Sequence, residues 1–256
     1  MKAVYGPVSS WRLGRSLGID LICKRQKACS FDCIYCQLGK TREKTLKRKT
    51  FVKTERIIKD LKEILPKAKA DVITFSGTGE PTLAKNLEEV IDFMKKETLL
   101  PLAILTNSSL FFDNEVQKSL CKLDIIVAKL DAFDENSFQK INQPVESLRF
   151  KDYFKWIKRM REIFSGKFAL QIMFVNENKN FVKEIVSLAK EIMPDEIQIN
   201  TPLRPCGIKP LTKREIKKIK KEFSGFKNVI SVYEAKRPKV SPIDIEEIKK
   251  RKRPKP

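Results

Sequence analysis

Apolar residues recur along this chain in two alternating rhythms. Short, dense apolar runs of the kind a strand shows when both faces are buried occupy residues 17–22, 71–76, 101–106, 124–130, 168–175 and 196–200. Between them the apolar positions fall three and four apart. Residues 54–65 place Ile57, Ile58, Leu61, Ile64 and Leu65 on one helical face and stop at Pro66. Residues 84–96 do the same with Leu87, Val90, Ile91 and Met94. Helices are also predicted at 113–120, with Phe112 or Asp113 as N-cap, at 153–164, and at 178–193 before Pro194. Strands separated by helices must pair in parallel through right-handed crossovers. The pattern predicts an α/β sheet, either open or curled into a barrel. After Pro205 the character changes: a very basic helix at 211–223, a strand at 228–234 and a short helix at 243–251 form an appended αβα element. No internal repeat is visible.

Charge divides the chain in the same way. The total is +21, with 53 Lys and Arg against 32 Asp and Glu. Residues 1–50 carry 12 basic and 3 acidic side chains, and residues 207–256 carry 17 and 6, whereas the middle is near neutral. The basic clusters are Lys40, Arg42, Lys44, Lys47, Arg48 and Lys49, then the tail Lys249, Lys250, Arg251, Lys252, Arg253 and Lys255. Such blocks either grip a polyanion or form a solvated surface. There is no histidine in the 256 residues. His relays, His general bases and His-ligated metals are therefore excluded, and the chemistry must come from Cys, carboxylates, Lys, Tyr or a cofactor. No apolar run reaches the roughly 18 residues of a membrane span, and the N-terminus has no signal-like stretch. The expected location is the cytoplasm, with no membrane partner.

Candidate chemistry gathers in the first third. Six of the nine glycines lie before residue 80, and Cys29, Cys33 and Cys36 stand together in a C-x3-C-x2-C loop after the first predicted strand. In a reducing compartment a disulfide explains this poorly. Structural zinc would need a fourth ligand from Cys23, Cys206 or a carboxylate. An iron–sulfur cube held by three thiolates instead leaves one iron open, and the spacing favours it. The other three cysteines read as structural, with Cys121 in the core ahead of the fourth strand and Cys23 and Cys206 as small loop or core residues.

The segment Cys29-Ser-Phe-Asp-Cys33-Ile-Tyr-Cys36, with aromatic Tyr35 before the last cysteine, resembles the signature of the radical S-adenosylmethionine (SAM) superfamily. Gly77-Thr78-Gly79-Glu80, directly after the second predicted strand, resembles that superfamily's glycine-rich turn, with Gly77 as a variant position. The segments Tyr5–Asp20, Leu130–Ala132, Ile141–Pro144 and Asn200–Pro205 are similar to a subfamily of iron–sulfur oxidoreductases related to the tRNA wybutosine-synthesis enzymes. Two departures stand out: Trp11 precedes Arg12 where the subfamily usually has two basic residues, and the sequence ends at its basic tail where some relatives are expected to continue into a further small domain; in addition, no second three-cysteine motif is present.

The resemblance implies a partial (β/α)6 barrel at residues 1–206, a small C-terminal α/β extension at 207–248 and a basic tail at 249–256. It implies a [4Fe–4S] cluster on Cys29, Cys33 and Cys36, and SAM as co-substrate. Tyr35, Gly77, Thr78, Gly79 and Glu80 would lie at the cofactor, with Glu80 near its ammonium. Thr106, Asn107, Ser108, Lys129, Asp131, Asn200 and Thr201, at strand C-terminal ends, would supply ribose, adenine and carboxylate contacts, Lys129 suiting the carboxylate. A helix cap is the plain alternative for Asn107 or Ser108, and an ion pair for Lys129 and Asp131. The implied activity is reductive cleavage of SAM to a 5′-deoxyadenosyl radical that abstracts hydrogen. A low-potential ferredoxin- or flavodoxin-like donor would supply the electron, and the substrate would be RNA or tRNA, or else a small molecule or peptide. A non-enzymatic, metal-stabilised nucleic-acid-binding module is the remaining alternative.

Overall fold

The computed structural model describes residues 1–249. Ten strands and eight α-helices follow in chain order: β1 Val4–Ser10, β2 Gly14–Ile19, β3 Lys27–Cys29, β4 Thr41–Lys44, α1 Thr54–Ile64, β5 Val72–Phe75, α2 Leu87–Glu97, β6 Leu102–Thr106, α3 Asn114–Leu120, β7 Ile125–Lys129, α4 Glu135–Ser137, α5 Phe150–Ile163, β8 Lys167–Met173, α6 Val182–Ile192, β9 Glu196–Asn200, α7 Lys213–Glu222, β10 Val229–Ser231 and α8 Ile245–Lys249. Eight strands form one sheet in the order β1-β2-β5-β6-β7-β8-β9-β10. From β2 to β10 every neighbour is parallel, and only β1 runs antiparallel, against β2. The six predicted strands are thus consecutive in the sheet, which curls into a half-barrel. β10 continues it past β9.

Strand alternation assigns the two faces. Leu17 and Ile19, Ile73 and Phe75, Ile104, Ile126, Phe168, Leu170, Ile172, Ile197 and Ile199 point outward into one core with the helices. The other face carries Ser16, Thr74, Ala103, Lys129, Gln171 and Gln198, small or polar side chains that line a concave surface. That polarity explains an offset in the first strand. The apolar run starts at Leu17, but β2 already begins at Gly14, because Ser16 and Gly18 face the concave side.

Three strands escape the hydrophobic pattern. β1 contains Pro7 at a register irregularity between Tyr5 and Val8, which a sheet edge tolerates. β3 and β4 are short and stand outside the eight-stranded sheet, pairing with each other, while Ala28 of β3 also bridges Gly79 in parallel. The helix expected from 178 starts at Val182, because the Asn178 amide is spent on Asp131 O and Met173 O, at 2.8 and 3.0 Å. The cap of α3 is Asp113, which accepts from Glu115 N and Val116 N. Cys121 is a correction: it caps the C-terminus of that short helix and is exposed rather than in the core.

The C-terminal segment returns to the opposite sheet edge. Ser9 Oγ donates to Pro238 O, Ile243 N to Gly6 O, and Lys2 N to Glu247 Oε2. The end of the predicted 243–251 helix and the tail beyond Lys249 lie outside the described residues.

Candidate active site

The cysteine loop leaves β3 and is pinned across the C-terminal ends of the sheet strands. Asp32 N donates to Asn142 O and Gln143 O, Ile34 N to Ile141 O, and Cys36 N to Cys33 O. Phe31, two residues after Cys29, packs edge-on against Phe138 at 5.4 Å and near Tyr153 at 5.8 Å. Cys29 is buried, Cys33 and Cys36 half-buried, and all three are free thiols.

Each of the three sulfurs faces a donor. Asn107 Nδ2 lies 3.4 Å from Cys29 Sγ, and Asn142 Nδ2 lies 3.6 Å from Cys33 Sγ. The Lys27 side chain is buried beside the loop, pairs with Asp32 at 3.9 Å and lies within electrostatic reach of Cys29, Cys36 and Cys33. Burial opposes its charge, but the cysteine sulfurs outweigh that and raise its pKa. Burial pushes the Cys29 thiol up to about 12 against the pull of Lys27, and raises Cys33 as well. Thiols this buried become good ligands only when a cation replaces their protons. Among the described residues no three Cys, Asp or Glu side chains converge on a single-ion site. Three spaced thiols, ringed by N–H donors and one ammonium, fit a multi-iron cluster better than one small ion.

The glycine-rich turn follows β5 and meets the same loop. Glu80 N donates to Ala28 O at 3.1 Å, and a Cβ on Gly79 would sit 1.8 Å from that carbonyl oxygen. Gly77 is equally tight, since its Cβ would fall 2.1 Å from the Asp20 carboxyl carbon. Thr78 N and Oγ1 both lie within hydrogen-bond distance of Asp20 Oδ1. Glu80 is buried and accepts four hydrogen bonds, from Thr82 N and Oγ1, Thr106 Oγ1 and Asn107 N. Burial raises its pKa, and those donors hold it down in part. Glu80 therefore ties the turn to the end of β6.

Tyr35, Lys129 and Asp131 meet at the end of β7. Asp131 Oδ2 accepts from the Tyr35 hydroxyl and from Asn142 Nδ2, the latter at 2.9 Å, and Oδ1 accepts from Met173 N at 2.7 Å. Burial and the Asp131 charge raise the Tyr35 phenol well above its ordinary range, so it stays a donor. Lys129 Nζ lies 3.7 Å from Asp131 Oδ2 and 4.9 Å from the Tyr35 ring centre. The ion pair exists, but Asp131 is the interior hub while Lys129 keeps some exposure. Ser108 sits at φ +68° and accepts from Lys129 N, Asn107 Oδ1 accepts from Ser109 N, and the next helix begins only at Asn114 with Asp113 as its cap, so neither caps a helix. Asn200 Oδ1 accepts from Thr201 N, and Thr201 Oγ1 from Leu211 N, on the far side of the sheet.

Of the named residues, Tyr35, Glu80, Asn107, Lys129 and Asp131 join the cysteine loop through direct contacts. Lys27 and Asn142 were missed as contributors. Asn142 lies in a segment already singled out. Nothing in a lysine-rich sequence distinguishes Lys27.

Residues 24–189 match the profile of the Radical SAM superfamily. The chain is 41% identical over 213 residues to a UPF0026 protein of Synechocystis, covering 82% of this chain and 77% of that one. It is 35% identical over 237 residues to a UPF0026 protein of Methanocaldococcus jannaschii, covering 90% and 73%. In structure it resembles TYW1 with a lysine-pyruvate adduct bound, at TM-score 0.60 and 17% identity over 82% of this chain and 73% of that one. It also resembles Streptococcus suis SuiB bound to S-adenosylmethionine, at 0.61 and 17% over 83% of this chain and half of that one. These two likenesses concern the fold.

Proposed function

The chain belongs to the radical SAM superfamily of enzymes, and we propose that it binds a [4Fe–4S] cluster on Cys29, Cys33 and Cys36 and cleaves SAM reductively to modify an RNA. The observation that carries this reading is the set of donors, Lys27, Asn107 and Asn142, around one buried and two half-buried thiols at the C-terminal ends of a parallel half-barrel. Held by Cys29, Cys33 and Cys36, such a cluster would supply one electron from an external low-potential donor for the cleavage of SAM to methionine and a 5′-deoxyadenosyl radical, which would take a hydrogen atom from the substrate.

The protein's own part is binding and exclusion of water. Lys27 offsets the negative charge of three thiolates. Glu80 fixes the turn that approaches the methionyl group, and Asp131 holds Tyr35 and Lys129 in place. Lys129 offers a cation to the SAM carboxylate, and the strand ends at Thr106–Ser108 and Asn200–Thr201 border the ribose and adenine.

Charge supports an RNA substrate and an acidic donor. Lys40, Arg42, Lys44 and Lys47 are exposed on and around β4, which pairs with the strand leading into Cys29. Arg48 and Lys49 are committed elsewhere: Arg48 pairs with Glu115 and Asp113, and Lys49 with Glu43. The exposed four suit docking of an acidic ferredoxin- or flavodoxin-like protein. The C-terminal basic residues suit phosphate contacts. No helix among the described residues is long and apolar enough to cross a membrane.

The test is anaerobic reconstitution with iron and sulfide, then dithionite and SAM, with 5′-deoxyadenosine as the readout. Replacement of Cys29, Cys33 or Cys36 by Ala should abolish both brown colour and product; product retained in any of the three refutes the site. Incubation with total tRNA should change its nucleoside profile and raise turnover, and an unchanged profile with turnover raised by a small molecule or peptide refutes RNA.

A further inference from the structure

Two buried asparagines turn their carboxamides toward the cysteine loop, and in each the surrounding chain fixes which way the amide faces. Asn107 follows β6 and is 8% exposed. Its Oδ1 accepts from Ser109 N at 3.0 Å, which sends Nδ2 the other way, to Ser30 Oγ at 2.8 Å and Cys29 Sγ at 3.4 Å. Its backbone N–H donates to Glu80 Oε2 at 2.7 Å, and the Ser30 and Ser109 hydroxyls pair at 2.5 Å. The amide therefore has no second orientation that keeps these bonds.

Asn142 is 1% exposed. Its carbonyl oxygen accepts from Asp32 N at 3.1 Å, so its position is tied to the cysteine loop. Its Nδ2 lies 2.9 Å from Asp131 Oδ2, 3.3 Å from the Tyr35 hydroxyl and 3.6 Å from Cys33 Sγ. Its Oδ1 is buried with no hydrogen-bond partner among the described residues. A buried amide oxygen without a donor is costly, and an apolar side chain would fill the space without that cost. The carboxamide is thus held for its nitrogen. That nitrogen stands between the Asp131 carboxylate and Cys33, two groups that are both negative once Cys33 is a thiolate ligand.

We propose that Asn107 and Asn142 are positioning residues that raise the reduction potential of the cluster, by aiming N–H groups at the sulfurs of Cys29 and Cys33. The inference rests on the cluster proposed above and assigns these two residues a role in setting its potential. Reduction adds one electron, and part of its charge falls on the cysteine sulfurs. An N–H aimed at a sulfur stabilises the reduced form more than the oxidised form, and burial strengthens the effect by keeping water away. Asn142 acts twice in the same direction, because it also keeps the Asp131 carboxylate from facing Cys33 directly. The consequence is that a weaker donor can reduce the cluster than a bare three-thiolate site would demand.

The experiment is a mediator redox titration of the reconstituted full chain without SAM, followed by absorbance and by the EPR signal of the reduced cluster. Asn142→Leu fills the space without a donor. Asn107→Asp keeps the Ser109 contact and replaces the amide nitrogen with a carboxylate oxygen. Each should raise the oxidised-to-reduced ratio at a fixed potential about tenfold, a fall of about 59 mV for a one-electron couple. The double variant should fall by about the sum, since the two amides serve different sulfurs. Asn142→Asp and Asn107→Leu, expected to move the potential the same way, replace any variant that takes up no cluster. The control is Asn86, a buried asparagine whose amide bonds Val52 O and Thr54 Oγ1 rather than a sulfur. Asn86→Ala should lower the melting temperature and leave the potential where it is. A merely structural role for Asn107 and Asn142 would do the same. A potential unchanged or raised at either position, with the cluster bound, overturns the inference. Wild type that binds no cluster overturns the proposed function and this inference with it, whereas a bound cluster indifferent to both asparagines overturns the inference alone.

Discussion

Replacing Gly79 by Ala tests whether the glycine-rich turn is shaped by the cysteine loop it meets. The added Cβ would lie 1.8 Å from Ala28 O, a backbone atom that cannot rotate away. Real Cβ contacts begin near 3.0 Å, so the strands must part by at least 1.2 Å, the difference of those two distances. The hydrogen bond from Glu80 N to Ala28 O, now 3.1 Å, would then be broken. Overpacking of this sort costs about 1–3 kcal/mol, and a lost buried backbone bond about 1 kcal/mol more. The total, roughly 2–4 kcal/mol, lowers the melting temperature by about 5–15 °C for a domain of this size. Ala28 precedes Cys29, so the displacement also carries the first thiol away from Asn107. The assay is a thermal melt of the apoprotein beside iron content after reconstitution. Gly225→Ala, where the new Cβ meets nothing within 4 Å, is the control and should do neither. A Gly79→Ala variant that melts with wild type and takes up the same iron would refute the reasoning.

Further perturbations probe other supports of the site. Phe31→Ala empties a fully buried aromatic cluster behind the cysteine loop and should cost about 3–5 kcal/mol in denaturant titration, with reduced iron loading. Glu80→Gln sets an amide N–H against the Asn107 N–H, or else against the threonine donors; stability should drop by about 1–3 kcal/mol, and a variant as stable as wild type would mean that the carboxylate is not the tie. Thr212→Ala removes the capping box of α7 and should cost about 1 kcal/mol by chemical denaturation. The Lys179 hydrogen bond and then the Thr212 bonds hold Glu215 near pKa 2, below its ordinary 4.5, so its contribution is complete above pH 4.5 and fades as the pH falls toward 2. The acid loss of stability across that window should be smaller in Glu215→Gln.

The strand–helix alternation and the three cysteines are fully legible in the chain, because both are encoded in local spacing. Periodicity is a property of neighbouring residues, and a sheet buried on one face by helices must express it. The six predicted strands therefore appear in sequence order in the sheet. What periodicity could not reveal lies where apolar burial is not the organising force. β1 is an edge strand interrupted by Pro7, and β3 and β4 exist because they carry the cysteine loop. Cys121 looked like a core residue by type, yet its position at a helix end leaves it in solvent.

The chemical partners were decided by the tertiary structure. Asn142 reaches Cys33 across 109 residues of chain, and Asn107 reaches Cys29 across 78. Such meetings depend on strand register and crossover length, which no short window of sequence contains. Tertiary packing also supplied the reasons behind residues the sequence had marked. Gly79 is glycine because β3 passes against it, and Glu80 is acidic in a place where four donors converge. The sequence by itself determined the six central parallel strands with the helices between them, and set three thiols close together along the chain. The curl of the sheet decided which charges face one another, because electrostatic partners are chosen by distance in space rather than along the chain.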